Sequence, residues 1–204
     1  MPKLRHFRGF VRPAALAGAL AAALWAGACT NTTGNQTGPL TLAIEDTGQL
    51  FALTGSAAYL PSGINLTTRN VVVVTVFDDG SVAFDVAFDI LPNGQVRVMP
   101  PRTVAIGPNV LPRSLDLYTP VAGTAWSAVT VAPQTGYIRD TAQVISVGQP
   151  IVMQVHPTLC SLQVLNALSA KFVVDSINAT SRKIFFRLLA NPNCGQRGLV
   201  SHQY

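Results

Sequence analysis

The strongest secondary-structure signal in the chain is a set of three apolar segments joined by two tight turns. Residues 71–77 form a β-branched run, residues 82–91 alternate apolar and polar side chains, and residues 95–99 alternate again. Asp-Asp-Gly at 78–80 and Pro-Asn-Gly at 92–94 are typical turn sequences, and Asn-Gly suits a tight hairpin. The pattern predicts a three-stranded antiparallel meander, and it restricts the chain to a fold that contains a β-sheet.

Alternation within 82–91 predicts one apolar face, containing Phe84, Val86 and Phe88, and one solvated face, containing Asp85 and Asp89. Two carboxylates on one face could in principle act as an acid/base pair. Four residues of strand separate their α-carbons by roughly 13 Å, whereas glycosidase carboxylates lie about 5 to 9.5 Å apart. The sequence therefore favours two solvated aspartates.

The remaining chain contains many short apolar segments separated by Gly, Pro and Asp. This pattern predicts an all-β fold, an antiparallel β-sandwich that is immunoglobulin-like in the broad sense. The prolines of residues 100–112 mark a crossover or a boundary between two β subdomains, 40–112 and 113–204. Leucines at 159, 162, 165 and 168 predict one short helix near 158–170, and 171–175 with 183–189 predict a final hairpin.

The N-terminus has the features of a secretory signal peptide over residues 1–28. Four basic residues precede an apolar run that is too short to span a membrane. Leu24, Ala26-Gly27-Ala28 and then Cys29 resemble the lipobox of bacterial lipoproteins, although Ala26 replaces the usual large aliphatic residue. The resemblance implies lipidation of Cys29, a flexible tether over 29–39, and a place in the cell envelope. The alternative is ordinary signal peptidase cleavage and release of a soluble secreted protein.

Cysteine parity supports the lipidated form. The chain has three cysteines, and the loss of Cys29 to lipid leaves Cys160 and Cys194 as an even pair for a disulfide. The alternative is a reactive thiol served by His156, four residues before Cys160, but a lone histidine beside a strand end is more often a surface residue. Thr30 after Cys29 resembles lipoproteins sorted to the outer membrane.

Charge excludes nucleic acid as an expected partner. The formal net charge of +5 includes four basic residues of the signal peptide, so residues 29–204 contain ten basic and nine acidic side chains. Charge is nevertheless unevenly distributed, because no acidic residue follows Asp175. A candidate surface for an acidic protein, glycan or lipid comprises Lys171, Arg182, Lys183, Arg187 and Arg197. The alternative is a set of solvated charges on one hairpin.

Motifs for catalysis are lacking in the sequence. There is no G-x-S-x-G, H-E-x-x-H or phosphate-binding glycine loop, and residues 78–80 fit a plain turn better than a calcium loop. We therefore expect no cofactor and no metal. We expect the protein to be a lipid-anchored, non-catalytic structural or protein-interaction module of an envelope assembly. The main alternative is a carbohydrate- or ligand-binding module that uses Tyr118, Trp126 and Tyr137; an enzyme is the third.

Overall fold

The structure, a computed structural model, describes residues 43–104, 114–160 and 167–201. In these residues the secondary structure consists mainly of β-strands, as the sequence predicts. The strands, numbered in chain order, are β1 (Ile44–Phe51), β2 (Gly63–Asn65), β3 (Asn70–Val72), β4 (Val86–Ile90), β5 (Val96–Met99), β6 (Leu115–Tyr118), β7 (Ile138–Arg139), β8 (Gln143–Ile145), β9 (Pro150–Val155), β10 (Leu168–Asn178) and β11 (Lys183–Ala190). One helical turn, α1 (Pro101–Val104), and the 3₁₀ turns Trp126–Ala128 and Thr158–Cys160 complete the described elements.

The strands form two antiparallel sheets, which confirms the predicted all-β sandwich. One sheet has six described strands in the order β1-β11-β10-β9-β6-β7, and the other has five in the order β3-β2-β4-β5-β8. Two predicted hairpins are present, β4–β5 and β10–β11. Gly94 supplies the positive φ that the β4–β5 turn requires, at 78°.

The main core contains inward-facing residues of both sheets. Phe88 of β4 stacks on Phe172 of β10 with ring centroids 4.5 Å apart, and Phe172 stacks on Phe186 of β11 at 5.2 Å. All three side chains are buried. Aromatic side chains bury large apolar areas, so these three rings contribute strongly to joining the two sheets.

The predicted meander is wrong in one respect. β2 lies between β3 and β4, so β3 does not pair with β4. Gly63 allows this insertion, because a Cβ atom there would lie 2.9 Å from the carbonyl oxygen of Val86. The predicted pairing remains only as a short hairpin, with a bridge between Val76 and Val82 and backbone hydrogen bonds from Phe77 to Ser81 and from Ala83 to Thr75.

The predicted solvated face of the β4 segment is also wrong. Every residue of β4 is buried, and Asp85 and Asp89 are 0 % and 8 % exposed. A second apolar cluster covers the face opposite the main core; it contains Phe84, Ala87 and Met99, with Val72 and Val74 packed against it. The sheet is therefore covered on both faces around β4.

The two described ends of the range 158–170 do not form the predicted helix. Thr158–Cys160 forms a 3₁₀ turn, and Leu168–Ala170 belong to β10, where Leu168 pairs with Val155 of β9. Residues 161–166 lie outside the described residues. The pairing of Leu168 with Val155 in the sheet outweighs the helical tendency that the leucine spacing suggests.

Both sheets contain strands from either side of the predicted subdomain boundary at 112/113. β1 pairs with β11 along its whole length, from Ile44–Ala190 to Phe51–Lys183, and β8 pairs with β5. Residues from both segments also share the main core. In the described part of the chain the two segments are thus interleaved.

Candidate functional site

Lys171 lies on the outer face of the six-stranded sheet, and the structure buries it. Only 3 % of the residue is exposed, and its Nζ donates to the carbonyl oxygens of Trp126 and Val129 at 3.1 and 2.9 Å. Burial lowers the pKa of this lysine, with a smaller opposing effect from Glu45. Lys171 is therefore not exposed as the predicted surface for an anionic partner requires.

Trp126 contacts two cations. The Nζ of Lys171 is 4.2 Å from its ring centroid and the guanidinium carbon of Arg187 is 5.2 Å away, both within cation–π range. The indole Nε1 donates to Glu45 at 3.2 Å, and Arg187 binds Asp175 through Nε and Nη2. This Trp126 cluster (Glu45, Trp126, Lys171, Asp175 and Arg187) attaches the segment before β7 to the outer face.

The other three basic residues of the predicted surface also contact their own chain. Arg182 donates to Asp89 Oδ1 at 2.9 Å and to the carbonyl oxygen of Thr54 at 3.0 Å. Lys183 lies 5.4 Å above the Phe51 ring, and Arg197 donates to the carbonyl oxygen of Ala132. The five cations therefore lie at three places: the Trp126 cluster, the β10–β11 turn and the C-terminal segment.

The aromatic residues of the predicted ligand platform contribute to an outer apolar cluster. Tyr118, Trp126 and Tyr137 are half-buried and pack against residues that include Val152 and Leu189. The Tyr118 and Tyr137 rings are 5.8 Å apart and tilted by 54°, and burial strongly raises the pKa of Tyr137. Such side chains stabilise the segment that covers the sheet, and they do not present two parallel exposed rings to a sugar.

A polar cluster that the sequence did not predict lies at the β6–β7 edge. Asp116 is buried, and its carboxylate accepts from Arg139 at 2.8 and 3.1 Å and lies 3.2 Å from His156 Nε2. Burial alone would raise the pKa of Asp116, but hydrogen bonds from Arg139 and His156 outweigh it and lower the pKa. The antiparallel pairing of Asp116 with Arg139 creates this contact, and no sequence motif marks it.

Asp85 and Asp89 bind different groups and do not form an acid/base pair. Asp85 accepts from the backbone N–H of Leu66 at 2.8 Å. Asp89 accepts from the hydroxyl of Thr54 at 2.8 to 2.9 Å and from Arg182. Both carboxylates therefore stabilise loops and the β10–β11 turn, which explains why buried aspartates are tolerated within β4 and directly before it.

The predicted disulfide is present. Cys160 and Cys194 are bonded, with their α-carbons 5.5 Å apart, within the usual range. The bond ties the Thr158–Cys160 turn to the segment after β11. Cys29, the predicted lipidation site, lies outside the described residues.

The Asp78-Asp79-Gly80 sequence forms the predicted turn. Asp79 Oδ1 accepts from the N–H and the hydroxyl of Ser81 at 2.9 and 2.7 Å, and these hydrogen bonds lower the pKa of Asp79. Within 43–104, 114–160 and 167–201, no three His, Cys, Asp or Glu residues are grouped so that they could hold a metal ion.

The residues that precede this turn form an exposed apolar segment. Among the described strands β3 pairs only with β2, and Val71, Val73, Val76 and Phe77 are 36–50 % exposed. We call residues 71–77 the apolar edge segment. The sequence identified its β-branched composition but assigned it to a paired strand, because composition does not reveal which strand lies at an edge.

No helix among the described residues is long and apolar enough to span a membrane. No family model, curated protein or solved structure matches the chain.

Proposed function

We propose that this protein is a lipid-anchored, non-catalytic interaction module of the bacterial cell envelope, an accessory subunit of an envelope assembly at the outer membrane. The observation that carries the proposal is the apolar edge segment. Natural proteins usually protect sheet edges with charges, prolines or covering elements, and clustered exposed apolar side chains mark interaction sites. Here four such side chains lie within seven residues.

The N-terminal sequence supports the proposed location. Cys29 follows a signal-like apolar run, and the polar, uncharged residues after it suit a tether. The Cys160–Cys194 disulfide is consistent with an oxidising compartment, because disulfides are rare in the cytosol.

The described polar clusters support a scaffold role. Lys171, Asp89 and Asp116 each bind groups of their own chain and hold neighbouring elements together. Removing one partner of such a buried charged pair leaves the other without compensation and strongly destabilises the fold. The five basic side chains of the predicted anionic-partner surface therefore contact groups of their own chain. The apolar edge segment is the stronger candidate for binding another protein.

Substitution Cys29→Ser in the full chain tests the proposal. Two or more acyl chains anchor a protein stably in a membrane, and a polar tether does not. We expect wild-type protein in the membrane fraction and the Cys29→Ser protein outside it, as measured by fractionation after a high-salt wash.

Thr30→Ser is the matched control, since it changes the next residue and keeps the cysteine. It should fractionate like the wild type. A Cys29→Ser protein that stays in the washed membrane fraction, or wild-type protein whose intact mass lacks acyl chains, would contradict lipid anchoring.

A further inference from the structure

The turn between β4 and β5 holds Asn93 immediately before a glycine. The backbone N–H of Gly94 donates to the carbonyl oxygen of Leu91 at 3.0 Å, and the N–H of Leu91 donates to Gln95 at 2.9 Å. Asn93 is exposed, and its Oδ1 accepts from the backbone N–H of Gln95 at 3.1 Å. This hydrogen bond folds the Asn93 side chain back over the Gly94 peptide group, which brings its amide carbon Cγ towards the Gly94 nitrogen.

This arrangement favours attack of the Gly94 nitrogen on the Asn93 side chain. The hydrogen bond to Oδ1 makes Cγ more electrophilic, and a glycine has no Cβ to obstruct the approach of its own nitrogen. Asn-Gly occurs once in the chain, at 93–94. The hydrogen bond from Gly94 to Leu91 must open before the N–H proton is removed, and a surface turn can open without unfolding of the sheet.

We propose that Asn93 is a site of spontaneous deamidation. Hydroxide removes the N–H proton of Gly94, whose nitrogen then forms a bond to Asn93 Cγ. The bond from Cγ to Nδ2 breaks, ammonia leaves with a proton taken from water, and a five-membered succinimide remains. Water then opens the ring at either carbonyl carbon, which gives an aspartate or an isoaspartate with one additional negative charge. The proposal is independent of the proposed function, since it needs neither the lipid nor a partner protein.

A second turn shows that an aspartate fits the position of Asn93. Residues 77–81 repeat the hydrogen-bond pattern, because Gly80 N–H donates to the carbonyl oxygen of Phe77 and Phe77 N–H donates to Ser81. Gly80 has a φ of 81°, close to the 78° of the glycine in the first turn. Asp79 occupies the place equivalent to Asn93 and accepts from the N–H and the hydroxyl of Ser81.

Asp79 should form a succinimide much more slowly than Asn93, although a glycine follows it as well. The hydrogen bonds from Ser81 lower the pKa of Asp79, so the side chain is a carboxylate at neutral pH. A carboxylate carbon is a poor target for a nucleophile. Asp79 is therefore an internal comparison within the same turn geometry.

Deamidation would alter a contact between two neighbouring turns. Asn93 Nδ2 donates to Gln95 Oε1 at 2.6 Å, and Gln95 Nε2 donates to Ser146 Oγ at 3.3 Å. A carboxylate at position 93 has no donor, so its oxygen would face the Gln95 oxygen. Rotation of the Gln95 amide removes this repulsion by directing Nε2 to the carboxylate, and the contact with Ser146 is then lost.

Incubation of the purified full chain at mildly alkaline pH, followed by peptide mapping, tests the proposal. Mass spectrometry detects the gain in mass, and electron-transfer fragmentation distinguishes isoaspartate from aspartate. Asn178 is the internal control, because it is exposed in the β10–β11 turn, accepts from the N–H of Ser181 and precedes alanine. We expect Asn93 to react about tenfold faster or more, which corresponds to a barrier lower by about 1.4 kcal/mol.

The rate at Asn93 should rise with pH, because the Gly94 nitrogen must lose its proton. Asn93→Gln should stay unmodified, since its longer side chain would have to close a six-membered ring. Asn93→Asp reproduces one product and should speed amide hydrogen exchange at Ser146. Thermal unfolding of each variant checks that the fold is intact.

An Asn93 that is still intact when Asn178 has deamidated would overturn the proposal. A rate at Asn93 that does not change with pH would exclude attack by the Gly94 nitrogen. Isomerisation of Asp79 as fast as the reaction of Asn93 would contradict the difference between an amide and a carboxylate.

Discussion

At the scale of single residues, the charged side chains of this protein contact groups far away in sequence. Lys171 binds carbonyl oxygens of residues 126 and 129, and Arg182 reaches Asp89 and Thr54. A charged residue within a strand is ordinarily predicted to be exposed to solvent. This prediction is wrong where another segment covers the strand and supplies hydrogen-bond acceptors to the charged side chain. Sequence alone could not reveal that segment, because its attachment depends on which residues the fold places opposite one another.

Lys171→Met tests the role of this lysine in attaching the covering segment. Methionine keeps the apolar stem but leaves the carbonyl oxygen of Val129 without its donor, which costs about 1–3 kcal/mol for a buried group. The Trp126 carbonyl oxygen keeps the backbone N–H of Val129. We expect a lower free energy of unfolding and faster amide hydrogen exchange over residues 126–132. Lys183→Met, at a half-buried lysine over Phe51, is the control and should change both much less; equal effects would contradict this role.

Asp116 predicts an acid-sensitive contribution to stability. Its pKa is lowered in the folded protein from the ordinary value of 3.8, so the folded state binds fewer protons than the unfolded state. Its stabilisation is fully present above about pH 4 to 5 and is lost as the pH falls through the lowered value. The difference in unfolding free energy between the wild type and Asp116→Asn should therefore shrink below about pH 4. A constant difference from pH 7 to pH 3 would exclude this linkage.

At the scale of elements, local sequence was sufficient to predict two of the hairpins. The β4–β5 and β10–β11 hairpins follow from alternation and turn residues. β2 was not predicted, since Gly-Ile-Asn has no alternation to detect and its place depends on the close approach of Gly63 to Val86. The helix near 158–170 was mispredicted because pairing of Leu168 with Val155 decides the outcome there.

The disulfide is the covalent tie between two such elements. Replacing Cys160 and Cys194 together with Ser should lower the free energy of unfolding by about 2–5 kcal/mol, because the unfolded chain regains the freedom of a loop with a sequence separation of 34. Equilibrium urea unfolding measures the change, and non-reducing peptide mapping checks the pair in the wild type. Two free thiols in freshly isolated protein, or an unchanged unfolding energy, would contradict the structural role.

At the scale of the whole molecule, the sequence predicts a β-sandwich but neither its strand order nor its exposed edge. Composition identifies which residues are buried on average, whereas strand order depends on contacts between distant segments. The apolar edge segment illustrates the limit, since a β-branched run is equally compatible with a central and an edge strand.

The pairing of β1 with β11 has a consequence for biosynthesis. β11 begins at Lys183, so the first described strand has no strand partner until synthesis has passed Lys183. Contacts so distant in sequence form slowly, and the six-stranded sheet cannot be completed on a partly made chain. A nascent chain that stays incompletely folded to its last strands suits passage through a membrane in an extended form. If the protein is exported as proposed, its six-stranded sheet would be completed in the compartment in which Cys160 and Cys194 can be oxidised.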